Sequence, residues 1–427
     1  MSTLSTLDTL LDGDRFWADV EALAQIGALS PKGIRRLTLD EHDNRARLWL
    51  VEQGRALGCK AYHDDLGNVF LRREGQDPSL APLLIGSHLD SQPAAGIHDG
   101  ALGVLAGLAV LRTLHEQGIE HRRSIDVVSW TNEEGARFAP GTSGSSWFAG
   151  RRDIETIRAG RDDEGTGFGE ALDACLALLE ARDVTLCPRP FVPHAFLELH
   201  IEQGPVLESL GVPVCAVNGI QGVNWYEVEV TGQANHAGTT PPDARRDAML
   251  GAHAFIGELR KLTEGRDDDL RFTIGKFSLA PDSVNTIAER ARFTIDMRHP
   301  DQAMLDALDS EFLALAERQW EGCEVSLKVT SQVAPVAFDN ALLEVVEQSV
   351  RQYAPSAPTL VSGAFHDAIH IAHVCPTAML FTPCRAGISH HPDEHVERAD
   401  AEVAVRALAH AVEQLLMTRI DFHDTDH

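Results

Sequence analysis

The sequence predicts an α/β protein interrupted by a smaller α+β module, and three observations carry that expectation. Short apolar runs at residues 82–85, 124–130 and 196–200 alternate with helical patterns such as GVLAGLAVLRTLHEQ (103–117), the rhythm of a parallel sheet covered by helices. Near residue 215 the pattern changes to strands in which apolar and polar residues alternate, as in WYEVEVT (225–231) and RFTIDMR (292–298). After Pro335 the α/β rhythm returns, so a module inserted into a larger domain is the simplest account. The expected boundaries are 1–214 and 332–427 for the larger domain and 215–331 for the insertion.

Each element follows from its own pattern. Residues 15–26 and 40–57 carry apolar side chains at helical spacing, and 58–72 reads as strand material with a turn at Asp64-Asp65-Leu66-Gly67. PLLI (82–85) ends at Gly86 as a buried strand. In 103–117 the apolar positions 104, 105, 108, 111 and 114 repeat at i, i+3 and i+4 and stop at Gly118. SIDVVSW (124–130) and FLELH (196–200) are further buried strands. Inside the insertion, alternating strands at 225–231, 271–279 and 292–298 with helical stretches at 246–262 and 302–320 predict two helices over an antiparallel sheet. A helix at 341–353, a strand at 378–382 and a helix at 401–417 complete the chain.

Composition narrows the function classes. A chain of 427 residues with 44% hydrophobic and 24% charged residues is globular and long enough for two or three domains. Its net charge of −27 argues against nucleic acid and anionic membranes as partners, since both repel it. Residues 1–11 lack a basic and apolar leader pattern, and the most apolar stretch, 101–111, is too short to span a bilayer. The 7 Cys form no CxxC pair, which suits reduced, buried thiols and a cytoplasmic protein. The 20 His are the unusual number.

Those histidines and a set of carboxylates cluster where strands are expected to end. Gly86-Ser87-His88-Leu89-Asp90 and His98-Asp99-Gly100 follow the first apolar run, Thr131-Asn132-Glu133-Glu134-Gly135 the second and Leu199-His200-Ile201-Glu202-Gln203-Gly204 the third; Ser389-His390-His391 comes after the late strand. Singly, each has an ordinary explanation: a polar residue at a strand end, a solvated helix start, an edge-strand histidine. Together they predict one crevice at the carboxyl ends of a sheet. His with carboxylate and no Cys suits zinc, manganese, cobalt or nickel, and a shared carboxylate suits two ions.

Eight segments then make the sequence recognisable: GSHLDSQP (86–93), HDGALGVLAGL (98–108), WTNEEGARFAP (130–140), ELHIEQGPVLE (198–208), NHAGTTP (235–241), DMRHPD (296–301), SGAFHDA (362–368) and GISHHP (387–392). In order and over nearly the whole chain, they resemble the metal-dependent hydantoinase/carbamoylase amidases, which include N-carbamoyl-L-amino-acid hydrolases, beta-ureidopropionases and allantoate amidohydrolases. The resemblance implies a di-metal aminopeptidase-like catalytic domain with an inserted lid and dimerisation domain. It implies two divalent ions per subunit, with His88 and His200 as terminal ligands of one, Glu134 and His390 of the other, and Asp99 bridging.

The same resemblance makes Glu133 the general base and Asp90 the carboxylate that orients His88. His236 becomes an oxyanion donor reaching the partner subunit's site in a homodimer. Arg298 becomes the clamp for a substrate carboxylate, and Gln203, Asn285 and His366 further substrate contacts. The implied substrate is a small ureido or amide compound bearing a carboxylate, foremost an N-carbamoyl-L-amino acid. Phe365 and His98 depart from the family pattern, where a Gly and an aromatic are usual, as do Ala95, Pro242 and residues 286–289; none is an implied ligand.

Overall fold

The computed structural model describes residues 6–187 and 191–417. It divides into two compact units, one formed by residues 1–218 with 338–427 and the other by 219–337.

The larger unit is built on a mixed sheet. Its strands include β1 (Lys60–His63), β2 (Val69–Arg73), β3 (Leu83–His88), β4 (Ile125–Trp130), β5 (Thr185–Leu186), β6 (Ala195–Ile201) and β7 (Cys215–Ile220), with Thr377–Thr382 returning late in the chain. The late strand, β6, β3 and β4 lie side by side and parallel, fully buried, as their continuous apolar runs dictate. β2 pairs antiparallel with β4 and β1 with β2 on one flank, and β7 pairs antiparallel with the late strand on the other. The parallel centre matters most, because all four of its carboxyl ends emerge on one edge.

Helix Ala101–Glu116 corresponds to the amphipathic pattern read at 103–117, yet it is buried on every side from Ala101 to Leu114. Gly103 and Gly107 lie close against the sheet, and helices Gly13–Ala24 and Arg398–Met417 pack on this helix as well, so faces that periodicity alone assigns to solvent are covered. Aspartates serve as N-caps throughout: Asp12, Asp40, Asp247, Asp301 and Asp339 accept backbone N–H bonds at the starts of five helices. Part of the acidity of the chain is therefore structural.

The smaller unit holds β8 (Gly222–Thr231), β9 (Arg271–Ala280), β10 (Arg290–His299) and β11 (Glu324–Val333), antiparallel throughout in the order β11-β8-β10-β9. Helices Ala248–Thr263 and Gln302–Ala316 supply Phe255, Leu259, Leu305 and Phe312 to a core with Tyr226, Phe293 and Ile295. β11 was absent from the expectation, although EVSLKVT alternates as plainly as its neighbours.

One buried ion pair ties the larger unit's framework to a site loop. Helix Glu41–Ala56 carries Arg47, wholly buried, whose Nε donates to Asp43 at 2.9 Å and whose Nη1 donates to Gly67 O at 2.6 Å and to Thr131 Oγ1 at 3.0 Å. Burial works against the guanidinium's charge, but Asp43 outweighs it and keeps Arg47 protonated. Replacing Arg47 by Met strands a buried carboxylate and is expected to cost about 3–5 kcal/mol. Urea unfolding checks this, and a loss below about 1 kcal/mol would show that Asp43 tolerates isolation.

Candidate metal centre

The four parallel strands deliver the candidate residues to one edge. His88 ends β3, and residues 131–134 follow β4. His200 lies at the end of β6, and 389–394 follow the late strand. Asp99 sits at the centre, 4% exposed. His200 Nε2 lies 3.2 Å and His88 Nε2 3.6 Å from its Oδ1, and His390 Nε2 lies 3.6 Å from its Oδ2. Two triads result, His88-Asp99-His200 and Asp99-Glu134-His390, each with ligand atoms within 4.8 Å of one another. Glu134 Oε2 is 3.3 Å from His390 Nε2, and Glu133 Oε2 is 3.5 Å from His88 Nε2.

The backbone sets the imidazole tautomers. Nδ1 of His88 lies 2.9 Å from Asp90 O, and Nδ1 of His200 lies 2.9 Å from Ile201 O. A carbonyl only accepts, so each Nδ1 carries a proton, and each ring offers an Nε2 lone pair once it is neutral. The Asp90 carboxylate itself was expected to orient His88, but it stands 3.8 Å from that Nδ1. It is engaged by three better donors: Thr38 Oγ1 at 2.6 Å and the N–H groups of Glu133 and Glu134 at 3.2 and 3.3 Å. Asp90 thus orients His88 through its carbonyl and fixes the Glu133-Glu134 loop through its side chain.

The loops are held in uncommon conformations. Asn132, Gln203 and His390 have φ of 58°, 56° and 56°, the left-handed region that non-glycine residues rarely occupy. At Gly100, φ is 62° and an added Cβ would fall 2.3 Å from the His88 ring, so only glycine lets the Asp99 loop lie against that histidine.

Proton affinities follow burial and charge. Burial pushes His88 down to about 4. For His200, burial lowers proton affinity, but the hydrogen bond and charge of Asp99 override it and raise the ring to about 9. Burial alone would raise Asp99, yet His200, His88 and His390 hold it below the usual carboxylate range. Glu133 is pushed well above its ordinary value by burial, then by Asp367, Glu134, Asp90 and Asp99.

Comparison with known proteins agrees with this geometry. Residues 84–414 match the peptidase family M20/M25/M40. The chain is 37% identical over 410 residues to an N-carbamoyl-L-amino-acid amidohydrolase of Rhizobium meliloti, spanning 94% of this chain and 96% of that one. The crystal structure of a hydantoinase/carbamoylase family amidase from Burkholderia multivorans superposes with a TM-score of 0.87 at 39% identity, covering 96% of this chain and 98% of that one. The chain belongs to this amidase family. An allantoate amidohydrolase of Bacillus subtilis is also similar, 32% identical over 400 residues, with 91% and 94% of the two chains covered.

The remaining expected residues of this family member divide between the two units. Gln203 lies in the larger one, its Nε2 donating to Asp99 Oδ2 and to Ser389 Oγ, each at 3.0 Å, rather than facing open space. His366, expected to touch substrate, is 1% exposed; its ring packs 4.3 Å from that of His200 and its Nε2 lies 3.0 Å from Ser362 Oγ. As found, it supports His200 from behind. His236, Asn285 and Arg298 belong to the smaller unit. His236 and Asn285 are exposed and adjacent, joined by the Ala237 N–H donating to Asn285 O at 2.9 Å. Arg298 is forked onto Asp296 at 2.8 and 3.0 Å, and Trp225 Nε1 donates to that same carboxylate at 2.8 Å. His98, which departs from the family pattern, packs against Trp17 with ring centroids 5.9 Å apart.

The residues fit a pair of divalent cations. Three Nε2 atoms face one buried carboxylate, and Glu134 Oε1 is buried with no hydrogen-bond partner among the described residues. Five carboxylates, Asp90, Asp99, Glu133, Glu134 and Glu394, gather here with side chains no more than 9% exposed. Such a density of buried negative charge calls for cations of matching charge.

Proposed function

We propose that this chain is a metal-dependent amidohydrolase that hydrolyses the carbamoyl C–N bond of an N-carbamoyl-L-amino acid, giving the amino acid, CO2 and ammonia. The observation that carries the proposal is the pair of triads sharing Asp99, with Glu133 alongside, in a chain 33–37% identical to several N-carbamoyl-L-amino-acid amidohydrolases. His88, His200 and Asp99 would hold one ion and Asp99, Glu134 and His390 the other; zinc or manganese suits the donor set, with cobalt or nickel as further candidates. When bound, such ions supply Lewis acidity that brings the pKa of a water towards neutrality.

Glu133 accepts the remaining proton of the attacking water and passes it to the leaving nitrogen. Its raised proton affinity suits a group that must hold a proton between two steps. Arg298 binds the substrate carboxylate, with Asn285 and Gln203 as polar contacts, His366 acts through His200, and His236 donates to the developing oxyanion. The reading places the enzyme in the cytoplasm as a homodimer in which His236 serves the partner's site; a fully active monomer in sedimentation would remove that role. No helix among the described residues is long and apolar enough to cross a membrane.

Similarity to an allantoate amidohydrolase makes allantoate, or another ureido acid, the second candidate substrate. A panel of N-carbamoyl, ureido, N-acyl and dipeptide substrates, assayed after chelation and reloading with manganese, zinc, cobalt and nickel, separates these. Equimolar amino acid and ammonia from N-carbamoyl substrates is the expected result, and amino acid released without ammonia would replace it with acylase chemistry. Changing Arg298 to Lys is expected to lower kcat/KM about 10–100-fold, mostly through KM, because an ammonium cannot reproduce a two-point hydrogen-bonded grip. Steady-state kinetics on the same panel checks this, and an unchanged KM would place the carboxylate elsewhere.

A further inference from the structure

The metal-facing side chains come from segments far apart in sequence, and one buried residue outside the expected set fastens two of them together. Glu394 follows His390 by four positions, and its side chain is fully buried. Its Oε1 accepts from the backbone N–H of His98 at 3.2 Å and of Asp99 at 3.1 Å, groups about 295 residues earlier in the chain. Its Oε2 lies 3.3 Å from Ser389 Oγ. That hydroxyl has a single proton and a shorter contact, 2.9 Å, with Asp99 Oδ2, so it donates there and accepts from Gln203 Nε2 at 3.0 Å. The Asp99 loop is therefore gripped at its backbone by Glu394 and at its carboxylate by Ser389, and both residues sit on the segment that carries His390.

The surroundings are shaped for this contact. An added Cβ on Gly96 would fall 2.3–2.5 Å from the Glu394 carboxyl and Cβ, so the chain leaves out a side chain there and the acid fits beneath the loop. Helix Ala101–Glu116 begins just beyond Asp99, and the Leu102 N–H donates to His98 O at 3.0 Å. Glu394 thus anchors the start of the most buried helix of the larger unit as well as the candidate bridging residue.

We infer that Glu394, with Ser389, is a positioning residue that holds Asp99 and His390 in register for a shared pair of divalent cations. The inference rests on the reading that Asp99 and His390 bind such ions. The alternative is that Glu394 only stabilises the fold, and the two differ in what they move. Equilibrium dialysis of the full chain with Mn2+ gives affinity and stoichiometry, and thermal unfolding of the chelated protein reports the fold alone.

Glu394→Ala is expected to weaken Mn2+ binding about 10–100-fold, the usual effect of losing an outer partner of a ligand. Glu394→Gln, whose amide oxygen accepts the same two N–H bonds, is expected to restore affinity to within about threefold of wild type. Ser389→Ala changes one small, half-buried side chain, leaves chelated stability unaltered, and is expected to weaken binding about tenfold. Should Glu394→Ala fail to fold, Ser389→Ala decides alone. Wild-type Mn2+ affinity in either folded alanine variant overturns the inference. A wild-type chain that binds no divalent ion overturns the metal reading beneath it, an outcome visible before any variant is made.

Discussion

Replacing Glu133 by Gln is expected to lower turnover of the preferred substrate about 10³-fold while two ions per chain stay bound, within the 10²–10⁴ range that positioned acid–base groups supply. The geometry separates the two adjacent glutamates. Asn132 turns the backbone in the left-handed region, the Asp90 carboxylate pins both following N–H groups, and the side chains then part: Glu133 towards His88, Glu134 towards His390. Glu134 accepts from Gln92 Nε2 at 2.7 Å and is committed to the ligand cluster. Glu133 stands beside it with its proton affinity raised by burial and by four neighbouring carboxylates. Gln has the same shape but no basic site, so ground-state binding and metal content should survive while proton transfer is lost. Single-turnover rates together with metal analysis after dialysis make the measurement. A variant retaining more than about a tenth of wild-type turnover would take the proton-transfer role away from Glu133.

Much of this site was legible because it is written at strand ends. LLI, VVSW and FLEL read as buried strands, and each leads directly to His88, Glu133-Glu134 or His200. The motifs named the segments, and the parallel sheet brought them together. What escaped was of three physical kinds. Glu394 acts through hydrogen bonds to residues nearly 300 positions away, a pairing that no local pattern encodes. Asp90 offers a carbonyl and a carboxylate, and which one meets His88 depends on where Thr38 and the Glu133-Glu134 amides fall. Arg47 and Asp43 are spaced i, i+4 as on any solvated helix face, yet both are buried because Gly67 and Thr131 complete the guanidinium's bonds. The burial of His366 behind His200 is of the same sort, since SGAFHDA carries no mark of which way its histidine turns.

Changing Asp99 to Asn is expected to abolish activity, by roughly 10⁴-fold or more, and to cut retained metal to at most one weakly held ion per chain. The loss should come without loss of fold. Gln203 Nε2 and Ser389 Oγ both donate to Asp99 Oδ2, so an asparagine must turn its carbonyl oxygen to that side. Its NH2 then faces the Nε2 atoms of His88 and His200, which lie 3.6 and 3.2 Å from Oδ1. Without the Asp99 charge that raises His200, both rings are neutral, and with Nδ1 protonated towards Asp90 O and Ile201 O each presents an Nε2 lone pair. The amide would offer hydrogen bonds to those two atoms, of which His200 Nε2 already has the Gly100 N–H at 3.2 Å, and it removes one negative charge from a crowded buried cluster. Chelated Asn variant should therefore unfold at or above the temperature of chelated wild type. Added metal should stabilise the wild type by about 2.7 kcal/mol for each ion present at one hundred times its dissociation constant, and the variant far less. Paired thermal melts with and without metal make the comparison. A variant that is stabilised by metal as wild type is, or that keeps two ions, would show that the two triads do not depend on the carboxylate they share.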